Sequence, residues 1–432
     1  MHTSSVCAAS FALIAFVAAC NDGSQVTAGA AGAAATGNAP SASGAAGTPV
    51  VPVPGGGAPA TGGAGNATGG SGVTEGGSSP TAGTDAGGAL TAGGMATVGG
   101  GSSGGGSAGG GTVSMGDPYS GPFKILVLSK TLGFHHDSIP ACQQMLRELG
   151  QCADAASCTA AGQGDAPITG AKPNSTFTVD VAGAPATGCP AIQSKPANAS
   201  ASGYAAYNSM GCDGSNTDLS QFNATNLDTK QFSSPTAAKG PYQMVFFCGP
   251  TGTDFTSGGA NGSAGMTAIQ NFVSAGAGYG GVHSASDFEN SEAWAWYYNS
   301  LMGSWFKDHN GDGTSGTVNT APMFAMHPVM RGIPNPWNTQ DEWYYQNREM
   351  SSVPGFQILA TLSGVPAVAG EPANDIRPII WIKQFPVAAD ATKTFEGRMF
   401  NTVRGHNIAR YGEAPFRQLI HQGVLWAANR LN

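Results

Sequence analysis

Charge is scarce in this chain. Only 10% of its 432 residues are Asp, Glu, Lys or Arg, and 18 basic residues stand against 26 acidic ones, a formal net charge of −8. The basic residues form no cluster. A nucleic-acid surface needs several neighbouring Lys and Arg side chains to neutralise phosphates, so no nucleic-acid partner is expected. An apolar run at residues 7–19 is too short to cross a bilayer as a helix. No Cys-x-x-Cys pair occurs, which argues against a zinc ribbon, and no His-Glu-x-x-His, which removes the compact metalloprotease spacing.

Glycine, by contrast, is abundant at 66 residues, and it is localised. Residues 22–115 are almost entirely Gly, Ala, Ser, Thr and Pro, without apolar periodicity. Such a stretch buries nothing that offsets the entropy of ordering it, so it reads as a flexible tether. Residues 1–19 read as a targeting segment. Val17-Ala18-Ala19-Cys20 resembles the lipobox of bacterial lipoproteins, with Cys20 as the lipidated residue. The leader lacks the Lys or Arg that such signals usually carry, and a plain secretory signal is the alternative. Either reading exports the protein; the first anchors it to a membrane through lipid, facing the periplasm or the cell surface. The expected organisation is a signal at 1–19, a tether at 20–116 and one domain at 117–432.

An exported compartment favours disulfides. Cys142, Cys152, Cys158, Cys189, Cys212 and Cys248 remain after processing. Four of them lie in a polar insertion at 151–240, where one or two bridges are expected; the pairing stays open. Cys248 ends an apolar run and reads as a buried or bridged cysteine.

Residues 123–129 (FKILVLS) and 242–248 (YQMVFFC) suit strands buried on both faces. Further strands are expected at 177–181, 278–282, 356–362, 379–384 and 397–403. Helices are expected at 139–149, stopped by Gly150, at 266–274, stopped by Gly276, at 292–302 and at 415–431. Alternating strands and helices imply an α/β sandwich with a mainly parallel sheet, whose ligands bind at the carboxyl ends of the strands.

The histidines sit in loops. Gly133-Phe134-His135-His136-Asp137, Gly281-Val282-His283-Ser284, Asp308-His309-Asn310 and Gly405-His406-Asn407 each place imidazole beside glycine, an acid or an amide. His327 precedes Pro328. Imidazole serves as acid, base, metal ligand or hydrogen-bond partner near neutral pH. Asp341-Glu342-Trp343-Tyr344 sets two carboxylates beside two aromatics, a composition suited to binding sugars and to acid–base chemistry on them. Asp308 to Gly313 imitates the start of a calcium loop, but Asn319 stands where the bidentate Glu belongs, so a solvated turn is the better reading.

These motifs together resemble trehalose-utilisation (ThuA-like) domains. The opening stretch from Ile125 to Ile139, the central Gly280-Gly281-Val282-His283-Ser284-Ala285-Ser286-Asp287, then Phe306 to His309, His327-Pro328, Asp341 to Tyr344, Gly397-Arg398 through Gly405-His406 and Val424 to Ala427 follow in the family's order. The resemblance implies a flavodoxin-like, three-layer fold akin to class I glutamine amidotransferases. His283 stands where their cysteine nucleophile would be, so amidotransferase chemistry is not expected. The Cys-bearing insertion departs from the family pattern and leaves open whether it roofs a pocket or projects away.

The resemblance implies sugar utilisation: hydrolysis or isomerisation of keto-disaccharides or glycosides by His and carboxylate chemistry. His283, His136, Glu342 and Asp341 are the expected catalytic groups. Asp287, His309, Tyr344, Arg398 and His406 are expected to bind substrate. No cofactor is assigned; His and carboxylate leave a divalent metal open. The alternative is a non-catalytic carbohydrate-binding surface lipoprotein, with Trp343, Tyr344, Trp294 or Trp296 as stacking groups.

Overall fold

Strand β1 (Phe123–Leu128) is buried at five of its six positions, and β3 (Met244–Cys248) and β4 (Gly278–Val282) throughout. Continuous apolar or glycine runs of this kind belong at the centre of a covered parallel sheet. They come from a computed structural model that describes residues 119–432, apart from 162–164, 186–187, 190–206, 216–217, 235, 290–293, 372–376 and 386–395. The expected signal, Cys20 and the tether lie outside the described residues. All described residues fall in one unit of the chain, 104–432, and none of their helices is long and apolar enough to cross a membrane.

One sheet of nine strands runs through the domain. The neighbours β2 (Phe177–Val181), β1, β3, β4 and β11 (Gly397–Thr402) are all parallel. Beyond β11 the pairing turns antiparallel through β10 (Arg377–Phe385), β9 (Phe356–Ser363), β6 (Thr314–Thr320) and β7 (Trp337–Asp341). The parallel sheet expected from alternation is therefore the five-strand half. The other half follows from residues 314–402, which carry strand after strand without a long intervening helix. A separate ribbon pairs β5 (Phe306–His309) with β8 (Tyr344–Gln346). Strands β5 to β8 were not expected; β6 and β7 are rich in Thr, Asn and Gln, and β5 and β8 span only four and three residues, so apolar alternation is weak in their sequence.

Helices α1 (Ile139–Gln151) and α3 (Ala414–Ala427) pack together against one face of the parallel half. Helix α2 (Gly259–Ala275) covers the other: Gly397 faces Val273 of α2, whereas Gly278, paired with the next residue Arg398, faces Ala427 of α3. Layers on both faces bury the sheet's core. Gly150 does not stop α1, which continues to Gln151. A Cβ there would lie 2.1 Å from the Phe177 carbonyl oxygen, so the glycine permits close helix–strand contact. Of the helix expected at 292–302, the described part ends in a π-helix, Tyr297–Met302. The α3 helix ends at Ala427, four residues short of the expected limit.

Disulfides join Cys152 to Cys158 and Cys189 to Cys212 within the insertion, and Cys142 of α1 to Cys248 of β3. The third lies outside the insertion: Cys248 is buried and bridged as expected, and its partner, left open by the sequence, is Cys142, so the bond ties a covering helix to the central sheet.

Helix α3 also carries a pH-sensitive group. His421 is buried beside Phe177, and burial pushes its imidazole down to about 4, with the Arg417 charge assisting and Asp165 opposing. A depressed histidine favours the fold above its unfolded pKa of about 6.5. That stability is lost as pH falls toward 4, by about 3 kcal/mol in full. Denaturation midpoints should therefore drop across this window, and His421→Gln should flatten the drop relative to wild type.

Candidate functional site

Strands β1, β3, β4 and β11 point the same way, so their carboxyl ends share one edge of the sheet. The loop after β1 carries His136, the turn after β4 is His283 itself, and the loop after β11 carries His406. His283 has φ +51°, the left-handed region. For a residue other than glycine this costs on the order of 1–3 kcal/mol and is typical of functional turns. It aims the ring across the sheet's end, where a 3-10 turn, His283–Asp287, begins. At Gly281, two residues earlier, a Cβ would fall 2.4 Å from the end of the Asn401 amide and 2.9 Å from Ala285 Cβ, so a side chain there would force its neighbours to shift.

The three imidazoles meet. His283 Nε2 lies 3.0 Å from His136 Nε2 and 3.2 Å from His406 Nδ1. Glu342 joins them from the β7–β8 connection: its Oε2 is 3.1 Å from His406 Nδ1 and 3.5 Å from His283 Nε2, and its Oε1 is 2.9 Å from His309 Nδ1. The Tyr344 hydroxyl is 2.9 Å from His283 Nε2. On the far side of the rings, His283 Nδ1 donates to the Val403 carbonyl at 3.0 Å, and His136 Nδ1 lies 3.3 Å from Ser284 Oγ. One ligand atom from each of His136, His283, Glu342 and His406 falls within 4.8 Å of the others, so this set could hold a metal ion.

Asp341 plays a different part from the one expected. Its carboxylate is fully buried and accepts three backbone N–H groups: Glu342 and His406 on Oδ1 at 3.0 and 3.2 Å, and Gly405 on Oδ2 at 3.1 Å. The buried guanidinium of Arg404 pairs with the same Oδ2 at 3.4 Å, while its Nη2 donates to Thr339 Oγ1 and Glu413 Oε2. Arg404 also lies 4.0 Å from the centroid of the Trp337 ring. With every oxygen engaged, Asp341 has no capacity left to act on substrate. It clamps the Arg404-Gly405-His406 loop to the strand that delivers Glu342. Arg404 escaped the sequence reading because a lone arginine after a strand carries no spacing signal.

The environments pull the titrating groups apart. Burial, reinforced by the neighbouring His283 and His406, pushes the His136 imidazole down to about 2, so it stays neutral. Burial also opposes charge on Glu342, but hydrogen bonds from His283 and His406 outweigh it and hold this carboxyl well below the usual carboxylate range. At His406, burial is likewise outweighed, by the Glu342 hydrogen bond and charge, and the imidazole is raised above its ordinary value. Burial and the charges of Glu342, Asp287 and Asp341 push the Tyr344 hydroxyl well above the usual phenol range, so it remains a donor.

A cleft of about 440 Å³ adjoins the cluster through His406, lined also by Phe134, His135, Asp137, Asp312 and Asn407. Its size lies within the common range for small-molecule sites. Phe134 is 67% exposed, 4.9 Å from the His136 ring and 6.5 Å from the His406 ring, stacked with the latter. An exposed aromatic face over polar groups suits the C–H surface of a sugar; only its exposure, invisible in sequence, marks it. His135 turns to Asp213 of the insertion at 2.8 Å. The insertion thus touches the first loop beside the cleft.

His136, His283, Glu342, His309, Tyr344 and His406 are brought together as expected, and Asp287 ends the turn that starts at His283. Arg398 is not among them. It stands at the opposite, amino end of β11, donating to the Trp426 and Leu431 carbonyls and to Asn432, because a strand separates it from the His406 loop. Trp343 is core, fully buried with its indole N–H on the Thr314 carbonyl. Trp294 and Trp296 stack on each other beside Tyr297, and His327 packs on Trp426, all apart from the cluster. The residues from Asp308 to Gly313 form a strand end and an exposed turn.

The family described as "ThuA: Trehalose utilisation" matches residues 124–427. No curated protein matches the chain. Among solved structures, the chain is similar to a ThuA-like protein from Bacteroides uniformis at 13% identity and TM-score 0.43, covering 71% of this chain and 92% of that one. It is also similar to a ThuA-like protein from Parabacteroides merdae at 17% identity and TM-score 0.40, covering 72% and 91%. A third likeness, at 9% identity and TM-score 0.34, is to the carbohydrate deacetylase Agd3, covering 72% of this chain and 33% of that one.

Proposed function

The chain belongs to the ThuA family, trehalose utilisation, and on that premise we propose that its histidine–carboxylate cluster transforms a carbohydrate. The observation that carries this reading is the meeting of His136, His283, His406 and Glu342 at one edge of the sheet, beside a cleft of sugar size. We read the fold as a flavodoxin-like sandwich of the class I glutamine amidotransferase kind, with His283 where the cysteine nucleophile would stand. Cysteine-based acyl-enzyme chemistry therefore has no nucleophile at that turn.

The substrate class is a keto-disaccharide or glycoside. A keto group acidifies the neighbouring C–H. A base removes that proton, the electron pair forms a double bond, and the glycosidic oxygen leaves with a proton from an acid. His283 Nε2 suits the base: its Nδ1 proton is committed to the Val403 carbonyl, which leaves Nε2 turned toward the cluster to accept one. His406, raised by Glu342, suits the acid. Glu342 holds the two in register, Tyr344 donates a hydrogen bond, and Asp341 positions. His309 and Asp287 are retained as substrate contacts at the rim.

The test is a panel of disaccharides, their 3-keto derivatives and aryl glycosides, followed for product and, by calorimetry, for binding. Conversion of any member supports the enzyme. Binding without conversion moves the protein to the second reading, a carbohydrate-binding surface protein, which exposed Phe134 independently favours. Neither binding nor conversion sinks both. Phe134→Ala should raise KM by about tenfold with kcat little changed, since it removes contact made equally in ground and transition states.

Export belongs to the same proposal. The three disulfides favour an oxidising compartment. Cys20 would carry a lipid on the membrane, and residues 20–116 would hold the domain at 117–432 away from it. Incorporation of labelled fatty acid should vanish in Cys20→Ser; unchanged labelling would refute the anchor.

A further inference from the structure

We infer that His136, His283, His406 and Glu342 form the binding site of one divalent transition-metal cation. This inference rests on the carbohydrate reading only for what the cation would act on; the site itself stands on three observations.

The first is a proton count. His283 Nδ1 faces the Val403 carbonyl, an acceptor only, so it carries the ring proton. Nε2 then faces His136 Nε2, His406 Nδ1, the Tyr344 hydroxyl and Glu342 Oε2 within 3.5 Å. One ring nitrogen holds one lone pair or one proton and cannot satisfy four neighbours. The Tyr344 hydroxyl already supplies a donor. The other three atoms then compete for a position already taken, a crowding that a positive centre among them would relieve.

The second is spacing. Nitrogen ligands bind zinc at about 2.0–2.1 Å, which places tetrahedral ligands about 3.3 Å apart. Four of the six separations here are 3.0, 3.1, 3.2 and 3.5 Å, and all six lie within 4.8 Å. The third is outer support. Metal-binding histidines commonly give their second nitrogen to a carbonyl, carboxylate or similar partner, which fixes tautomer and ring orientation. His283 has Val403, His136 has the Ser284 hydroxyl, and the second oxygen of Glu342 has His309.

Three imidazoles and one carboxylate suit Zn²⁺, Mn²⁺ or Fe²⁺ rather than Mg²⁺ or Ca²⁺, which prefer oxygen. Such a cation would polarise a sugar carbonyl or hydroxyl presented from the Phe134 cleft. The imidazoles would then be ligands rather than acid–base groups, and a sugar oxygen would enter by expanding the cation to a fifth position.

The full chain, stripped with chelator and dialysed, is titrated with Zn²⁺, Mn²⁺ and Co²⁺ by calorimetry, with elemental analysis for stoichiometry and absorption of the Co²⁺ form for ligand type. One equivalent per chain is expected, with a raised thermal midpoint. Affinity should fall by 100-fold or more in His283→Ala and Glu342→Gln, and about tenfold in His309→Ala, whose exposed position keeps the fold if a ligand variant does not. Absence of stoichiometric binding, or equal affinity in all three variants, overturns the inference. Sugar turnover by the chelated protein, unchanged on adding metal, overturns it too and leaves the carbohydrate reading standing. One bound cation with no sugar bound or converted does the reverse.

Discussion

Asp341→Ala is expected to cost about 3–5 kcal/mol of folding stability, a shift of roughly ten degrees in thermal midpoint. The carboxylate is buried against Arg404, itself fully buried, and accepts three backbone N–H groups. Removing it strands a cation in the interior and leaves three donors unpaired at once, and an unmade buried hydrogen bond costs more than a made one contributes. Glu413 still faces Arg404 and moderates the loss. The clamp also sets where His406 sits relative to Glu342, so turnover should fall together with stability. Asp341→Asn keeps the volume and one acceptor oxygen and should lie between. A denaturant midpoint for the alanine variant within about 1 kcal/mol of wild type would show that Asp341 is not an anchor.

His283→Asn is expected to slow turnover by about 10²–10⁴-fold, the usual worth of a positioned acid–base group. Asparagine tolerates the left-handed backbone at φ +51°, so the variant tests the imidazole rather than the turn. Its smaller side chain loses the bond to Val403 and the approach to His136 and His406, yet the fold should stay within about 2 kcal/mol of wild type. His136→Ala should fall by a similar factor in kcat/KM. If both variants stay folded and convert a confirmed substrate at the wild-type rate, the assignment of this cluster is wrong.

Much of the parallel half was legible because β1, β3 and β4 are short apolar or glycine runs, each followed by a helical segment. The expected limits of β2 and β4 coincide with the observed ones, and those of β1, β9 and α1 differ by one or two residues. Strands β6 and β7 were not legible, since residues such as Thr317, Asn319, Asn338 and Gln340 expose a polar face and pair only with partners far along the chain. The histidine loops announced themselves by residue type. Asp341 and Glu342 illustrate the limit: adjacent and of like charge, they were given one role. The pleat sends neighbouring side chains to opposite sides, one into the interior to meet Arg404 and the other into the imidazoles.

Local order in the chain settled the strands of the parallel half together with β9 and β10, that three loops after strands carry imidazole, and that the family motifs fall in sequence. Such features depend on residues close together, where apolar periodicity and turn chemistry act. Tertiary packing alone decided that His136, His283, His406 and Glu342 share one point, that Arg398 faces the other end, and that Phe134 is bare. Each of those depends on contacts between residues tens to hundreds of positions apart, and such contacts exist only after the sheet has stacked its strands in the order β1, β3, β4, β11.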